Sequence, residues 1–142
     1  MSKGKAVCID YGKKRIGVAT GGLDMKIAFP KEVFENHGFD KVVSRLLELV
    51  SESGANLLVI GYPLSMEEGQ RNLMMKEVEK LEEALKNVLP KEVEVVLFDE
   101  RLSSFEAQDV FKDLREKGIV SRGTADDSYA AQITLQRYFD SM

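Results

Sequence analysis

The stretch AVCIDYGKKRIGVAT, residues 6–20, decides the fold. Its first half is a continuous apolar run of strand length that ends on an acidic residue, Asp10. Such a run is typical of a central strand that is covered on both faces. Gly12 and three basic residues follow, a link short enough for an antiparallel hairpin with a second apolar run over residues 15–20. The sequence thus puts a carboxylate at the end of a strand that it predicts to be buried.

Beyond the hairpin, helix and strand patterns alternate along the chain. From Phe39 onward, apolar residues recur at helical spacing until Ser53-Gly54, which predicts an amphipathic helix with a glycine stop. Pro30 confines the third strand to a sheet edge or a bulge. The predicted strands cover residues 5–10, 15–20, 27–34, 56–60 and 93–98, and the predicted helices cover 39–53, 66–88, a segment opening at Ser103 and 127–140, with a polar loop at 118–126. A hairpin or three-stranded meander followed by two helix-to-strand crossovers predicts an α/β fold, a mixed sheet with helices on both faces.

Length and composition narrow the class of protein. The 142 residues suit a single domain over residues 1–142, and no apolar run approaches the roughly 20 residues of a membrane span. Without a visible targeting segment, we expect a cytoplasmic protein with no membrane partner. One cysteine and one histidine are too few for a Cys/His zinc site, so any metal is held by oxygen atoms, which favours Mg²⁺, Mn²⁺ or Ca²⁺. The net charge of −4 argues mildly against bulk affinity for nucleic acid.

Acidic residues stand at the ends of three predicted elements. Asp10 ends the first strand, and the pair Asp99-Glu100 follows the last strand. In open α/β sheets, functional groups gather at the carboxyl ends of parallel strands, so these acids are expected at one edge. Each acid alone could also be a turn residue, a loop start or a helix N-cap.

The third acidic pair, Asp126-Asp127, opens the last predicted helix. Ala130 and Ala131 follow Asp127 on the same helix face and allow a close approach to the sheet. If that face lies over the first strand, Asp127 points toward Asp10. Clustered carboxylates repel one another and are tolerated mainly when a cation neutralises them, so the pattern predicts a divalent metal site.

An oxygen-lined site for divalent metal supports phosphodiester hydrolysis, in which the ions activate a water and stabilise the leaving oxygen. Basic side chains would position the phosphates, with arginine able to bind them in bidentate fashion. The candidate phosphate-binding residues are Lys13, Lys14, Arg15, Arg101 and Arg122.

Four motifs, "IDYGKKRIGVA", "VIGYPLSMEEGQ", "DERLSSFEA" and "DDSYAAQITLQRYF", together resemble the YqgF/RuvX family of RNase H-like proteins. This family comprises Holliday junction resolvases and nucleases that mature the 5′ end of pre-16S ribosomal RNA. The resemblance implies an RNase H-like sheet of strand order 3-2-1-4-5 and bound Mg²⁺ or Mn²⁺. It implies Asp10, Glu100 and Asp127 as catalytic metal ligands, with Asp99 and Asp126 as the less favoured neighbours.

Other functions remain open at the level of sequence. The chain has Gly61-Tyr62-Pro63 where well-characterised resolvases of this superfold carry an acid on the middle strand. A non-catalytic RNA-binding module is one alternative. The other is an actin-like nucleotide-binding domain, in which the stretch DYGKKRIGVA would be a hairpin that contacts the phosphates of a nucleotide. The choice between structured RNA and branched DNA rests on the resemblance alone, and the pattern is compatible with a monomer or a homodimer.

Overall fold

The computed structural model describes residues 4–62, 68–99 and 124–142, and within these ranges the side chains of Tyr62, residues 68–72, Asp99 and residues 124–128 are not described. The elements are β1 (Lys5–Asp10), β2 (Arg15–Gly22), β3 (Phe29–Glu35), α1 (Phe39–Ser53), β4 (Leu57–Tyr62), α2 (Glu68–Val88), β5 (Glu94–Asp99) and α3 (Thr124–Asp140). The helix predicted to open at Ser103 and most of the 118–126 loop lie outside the described residues.

The five strands form one mixed sheet in the order β3-β2-β1-β4-β5. β1 is central, antiparallel to β2 and parallel to β4, and β5 continues the parallel half. Ala6, Val7, Cys8 and Ile9 are fully buried, as expected for a strand with helices on both faces. The α/β class, the strand order and the helices on both faces are thus confirmed.

Two apolar clusters sandwich the sheet, because successive strand residues point to opposite faces. The α1–α2 cluster contains Val7, Ile9 and Tyr11 of the central strand and its end. The α3 cluster contains the alternate residues Ala6 and Cys8, together with Ala131 of α3. Ala131 is fully buried there, so the small-residue face of the last helix does lie against the first strand.

The third strand starts two residues later than predicted, at Phe29 rather than residue 27. The backbone of the preceding turn is bound by α3 instead of β2: Ala28 N–H donates to Gln136 Oε1 (2.9 Å), and Gln132 Nε2 donates to the Ala28 carbonyl (3.1 Å). Gln136 Nε2 also donates to the Lys26 carbonyl at 2.9 Å. Pro30 lies on the edge strand beside a register shift, as predicted.

The second strand is longer than predicted and runs on through Gly21 and Gly22, which pair with Ala6 and Lys5. Glycines are poor strand residues, which is why the sequence predicted an end at Thr20. Here the glycine is required, because a Cβ atom at Gly21 would lie 2.8 Å from Cε2 of Phe139 and would collide with the Ile27 carbonyl.

The remaining boundaries differ from the predictions by a few residues at most within the described ranges. α3 begins at Thr124, three residues before the predicted start, so Asp126 and Asp127 belong to its first turn. Acidic residues in the first turn interact favourably with the helix dipole. α1 ends as predicted, with Gly54 in the left-handed conformation (φ 66°) and its N–H bound to the Ser51 carbonyl. Among the described residues, no helix is both long enough and apolar enough to cross a membrane.

We expect Gln136→Ala to lower the free energy of unfolding by about 1–3 kcal/mol, because it leaves the buried Ala28 N–H without its acceptor. Urea unfolding followed by circular dichroism measures the change. Lys76→Ala, at an exposed position of α2, is the control and should change stability by less than about 0.5 kcal/mol. Equal stability of the two variants would show that the glutamine bonds contribute nothing.

Candidate active site

Asp10 is the last residue of β1 and is half-buried. It follows Ala6 and Cys8 at steps of two, so its carboxylate lies on the sheet face that α3 covers. Its backbone partner on β2 is Gly17. A carboxylate in this position is partly desolvated yet open to the edge of the sheet, which suits a group that binds a cation.

The carboxyl ends of three parallel strands meet at this edge. Ile9 pairs with Ile60 of β4, and Tyr62 of β4 pairs with Asp99 of β5. The predicted acid positions Asp10 and Asp99 therefore stand at the same edge of the sheet, two strand spacings or roughly 10 Å apart. Between β1 and β5, the second-last residue of β4 is Gly61, which has no side chain.

Asn36, which the sequence analysis did not identify, holds the turn that follows Asp10 in place through hydrogen bonds. Its Nδ2 donates to the Gly12 carbonyl (2.9 Å) and more weakly to the Tyr11 hydroxyl (3.4 Å), while its Oδ1 accepts from Gly38 N–H (3.1 Å). Its own N–H donates to the Lys14 carbonyl at 2.8 Å. The Asn-His-Gly sequence is a turn signal, but nothing in it indicates that the asparagine clamps the distant hairpin.

Gly12 is needed in the same turn. A Cβ atom there would collide with the carbonyl oxygen of Arg15, so a side chain would force the hairpin apart. The turn presents Lys13, Lys14 and Arg15 as exposed residues next to Asp10, where the sequence predicted phosphate contacts. Arg101 and Arg122, the other two candidates, lie outside the described residues.

Tyr11 lies on the opposite sheet face from Asp10, in the α1–α2 cluster. Burial raises the pKa of its hydroxyl, and the nearby carboxylate of Glu77 acts in the same direction, while the Asn36 hydrogen bond acts against them. Tyr11 therefore stays protonated at neutral pH and serves as a hydrogen-bonding group rather than a base.

Three of the predicted acids, Asp99, Asp126 and Asp127, have a described backbone position only. Asp99 ends β5, and Asp126 and Asp127 lie in the first turn of α3, but none of these side chains is described. Glu100 lies outside the described residues. Within the described part of the chain, no group of three His, Cys, Asp or Glu side chains comes together as a metal site.

The packing of Phe139 shows in which direction α3 runs relative to β1. Phe139, near the helix C-terminus, packs beside Gly21, which pairs with Ala6 near the start of β1. The C-terminal end of α3 is thus at the edge opposite Asp10.

Comparison with solved structures agrees with this architecture. Thermus thermophilus RuvC in complex with a Holliday junction substrate superposes with a TM-score of 0.63 at 13% identity, covering 96% of this chain and 94% of that one. The yeast mitochondrial Holliday junction resolvase Ydc2 gives a TM-score of 0.55 at 11% identity, covering 94% and 77% of the two chains. The fold is that of the RNase H-like resolvases, and the acidic end of its central strand is the candidate active site.

Sequence comparison gives the family. The family model described as RuvX, Holliday junction resolvase, matches residues 4–141. A protein of Rippkaea orientalis is 38% identical over 141 residues, 99% of each chain, and one of Maridesulfovibrio salexigens is 35% identical over 136 residues, 94% of this chain and 96% of the relative. Both carry the provisional name pre-16S rRNA nuclease. The chain belongs to the RuvX family of nucleases.

Proposed function

We propose that the chain is a metal-dependent endonuclease that hydrolyses phosphodiester bonds of structured RNA in the cytoplasm, with the 5′ end of pre-16S rRNA as its target. The observation that carries the proposal is the half-buried Asp10 carboxylate at the end of the central strand. The names of the family relatives supply the RNA target.

The metal ligands would be Asp10, Glu100 and Asp127. All three are carboxylates, the donor type that Mg²⁺ and Mn²⁺ prefer. Gly61 of β4, which lies between the ends of β1 and β5, has no side chain to occupy the space of an ion. When bound, the ions activate a water and stabilise the leaving oxygen. Asp10 would hold the ions at the sheet edge. Lys13 and Lys14, in the turn that the Asn36–Gly12 hydrogen bond holds in place, would bind the phosphates on either side of the cleaved bond.

The strand period favours Glu100 over Asp99 as the β5 ligand. Val96 and Phe98 of β5 pack against the α3 cluster, on the face that carries Asp10. A strand that kept this alternation for one more residue would bring position 100 to the same face and position 99 to the other.

The helix period favours Asp127 over Asp126. Asp127 stands one turn before Ala131, which is buried against the first strand. It precedes Phe139 by 12 residues, about 18 Å of helix, and Ala6 to Asp10 spans about 13 Å of strand in the opposite direction. These lengths support a helix start near the Asp10 edge.

The test is a cleavage panel in Mg²⁺ and Mn²⁺ with a pre-16S rRNA leader, a four-way DNA junction and single strands. We expect cleavage of the leader, and we expect excess EDTA to abolish it and added Mn²⁺ to restore it, because in the proposed mechanism the bound metal ion activates the attacking water. Cleavage that survives EDTA unchanged would exclude the metal mechanism.

Holliday junction resolution is the second candidate, favoured by the family description and by the likeness to RuvC. A junction is cut symmetrically on two strands, which requires two active sites and hence a homodimer, whereas processing of an RNA end needs only a monomer. Cleavage of the four-way junction and not the RNA, by a species of twice the monomer mass in light scattering, would establish this alternative.

A further inference from the structure

A cleft opens on the α1–α2 face of the sheet, directly behind the turn that follows Asp10. Its volume is about 670 Å³, within the range of about 300–1,000 Å³ typical of ligand sites. Tyr11 and Lys13 contribute from the turn, Phe39 from the start of α1, and Glu77, Lys80 and Asn87 from α2. We call it the Tyr11 cleft.

The chemistry of the walls suits a flat, polar and neutral group. Lys13 and Lys80 are balanced by Glu77 and Glu83, so the cleft carries no excess positive charge for an isolated phosphate. The carboxylates can accept hydrogen bonds from amino groups, and an amide can both donate and accept. The edge of a nucleobase presents this combination of donors and acceptors.

An aromatic ring stands beside these polar groups. Phe39 is 38% exposed although it is a large apolar residue, and it lines the cleft. Such a ring gives an unpaired base a surface on which to stack. The amide of Asn36, by contrast, is engaged with Gly12 and Gly38, so it holds the wall rather than a ligand.

The position of the cleft relates it to the candidate active site. Tyr11 and Asp10 are consecutive residues at one end of β1, on opposite faces of the sheet. Lys13 and Lys14 lie in the turn between the two faces. Because Tyr11 and Lys13 line the cleft, the cleft and Asp10 border the same turn, and a nucleic-acid strand that follows this turn would pass both.

We propose that the Tyr11 cleft receives one unpaired nucleobase of the substrate strand, flanking the phosphate that is cleaved at Asp10. Phe39 stacks on the base, and Asn87 and the α2 carboxylates contact its edge. The inference rests on the proposed nuclease function for its substrate. It adds a requirement for an unstacked, single-stranded nucleotide beside the cleavage position.

Binding in EDTA tests the cleft without any cleavage. Fluorescence anisotropy with labelled single-stranded A10 and U10 RNA is compared for the wild type, Phe39→Ala and Phe29→Ala. We expect Phe39→Ala to weaken binding about tenfold, as for loss of a base–aromatic stack. Phe29, 59% exposed on the edge strand away from the cleft, is the matched control and should leave affinity unchanged. Equal affinity of the two variants would overturn the proposal.

A second variant keeps the test decisive if Phe39→Ala folds poorly. Asn87 is exposed on α2, and Asn87→Ala should change the ratio of the A10 and U10 affinities at least threefold, because the amide contacts the base edge. An unchanged ratio would remove Asn87 from base recognition and, where Phe39→Ala does not fold, would overturn the proposal for the cleft.

Two further measurements separate the possible outcomes. Free AMP or UMP that binds as tightly as the decamers would identify a mononucleotide site and contradict a substrate-strand role. An abasic nucleotide beside the cleavage position should slow wild-type cleavage about tenfold and leave Phe39→Ala cleavage unaffected. If RNA binding depends on Phe39 but the protein cleaves no substrate, the base-binding role of the cleft is supported and the proposed nuclease function is refuted. If metal-dependent cleavage is unaffected by Phe39→Ala and by the abasic nucleotide, the nuclease function is supported and the role of the cleft is refuted.

Discussion

Asp10→Asn is expected to reduce metal-dependent cleavage by about 10³-fold or more while the protein stays folded. The substitution keeps the size of the side chain but removes the negative charge that would hold a divalent ion at the end of β1. Such ions contribute several kcal/mol of transition-state stabilisation, and each 1.36 kcal/mol corresponds to a factor of ten in rate. Initial rates in Mn²⁺ on the preferred substrate of the cleavage panel measure the loss.

The control for this variant is Asp140→Asn, at an exposed position near the C-terminal end of α3, where an amide can still accept the bond from Gln136. Its rate should stay within twofold of the wild type. Thermal unfolding followed by circular dichroism should show a cooperative transition for Asp10→Asn, because asparagine keeps the size and shape of the side chain. A rate close to that of the wild type would eliminate Asp10 as a metal ligand, and with it the proposed site.

The central hairpin was predictable because its signals are local. An apolar run too short for a helix, a glycine-containing link and a second apolar run leave few arrangements other than two paired strands. The helical period from Phe39 and the glycine stop at Gly54 are equally local, and both agree with α1. The strand order 3-2-1-4-5 was implied by the family resemblance, and the sheet has that order.

The features that sequence did not predict depend on contacts between distant parts of the chain. Residue 27 looks like strand, but the backbone at Ala28 bonds to glutamines more than 100 residues away, and no local pattern reports such a partner. Gly21 pairs with Ala6 in the sheet, and the residue at this position is a glycine because the ring of Phe139 leaves no room for a Cβ atom. In both cases tertiary packing by α3 overrides the local propensity.

The same division holds for the candidate site. Asp10 could be found because an acid that ends a buried run is conspicuous, and its place at the carboxyl edge of the parallel strands follows from the fold. Asn36 could not, since its role depends on the meeting of the β3–α1 connection with the β1–β2 turn. The roles of Glu100 and Asp127 stay predictions that rest on strand and helix period.

Phe139→Ala is expected to lower the free energy of unfolding by about 3–5 kcal/mol, the largest stability effect that we predict. Phe139 is 1% exposed and is among the largest fully buried side chains of the described residues. Its ring fills the space left by Gly21, so truncation opens a cavity that the glycine cannot fill. Urea unfolding measures the loss, with Phe29→Ala as the exposed control, which should change stability by less than about 0.5 kcal/mol.

The expected loss bears on function because Phe139 anchors the helix that carries Asp127. If the helix position matters for the metal site, Phe139→Ala should also weaken Mn²⁺ activation of cleavage at temperatures where the variant is still folded. Because a shift of about 1 Å in a catalytic group can cost about 10²-fold in rate, even partial loosening of α3 should be visible. A variant that is 3 kcal/mol less stable and yet shows the wild-type dependence on Mn²⁺ would indicate that the first turn of α3 takes no part in metal binding.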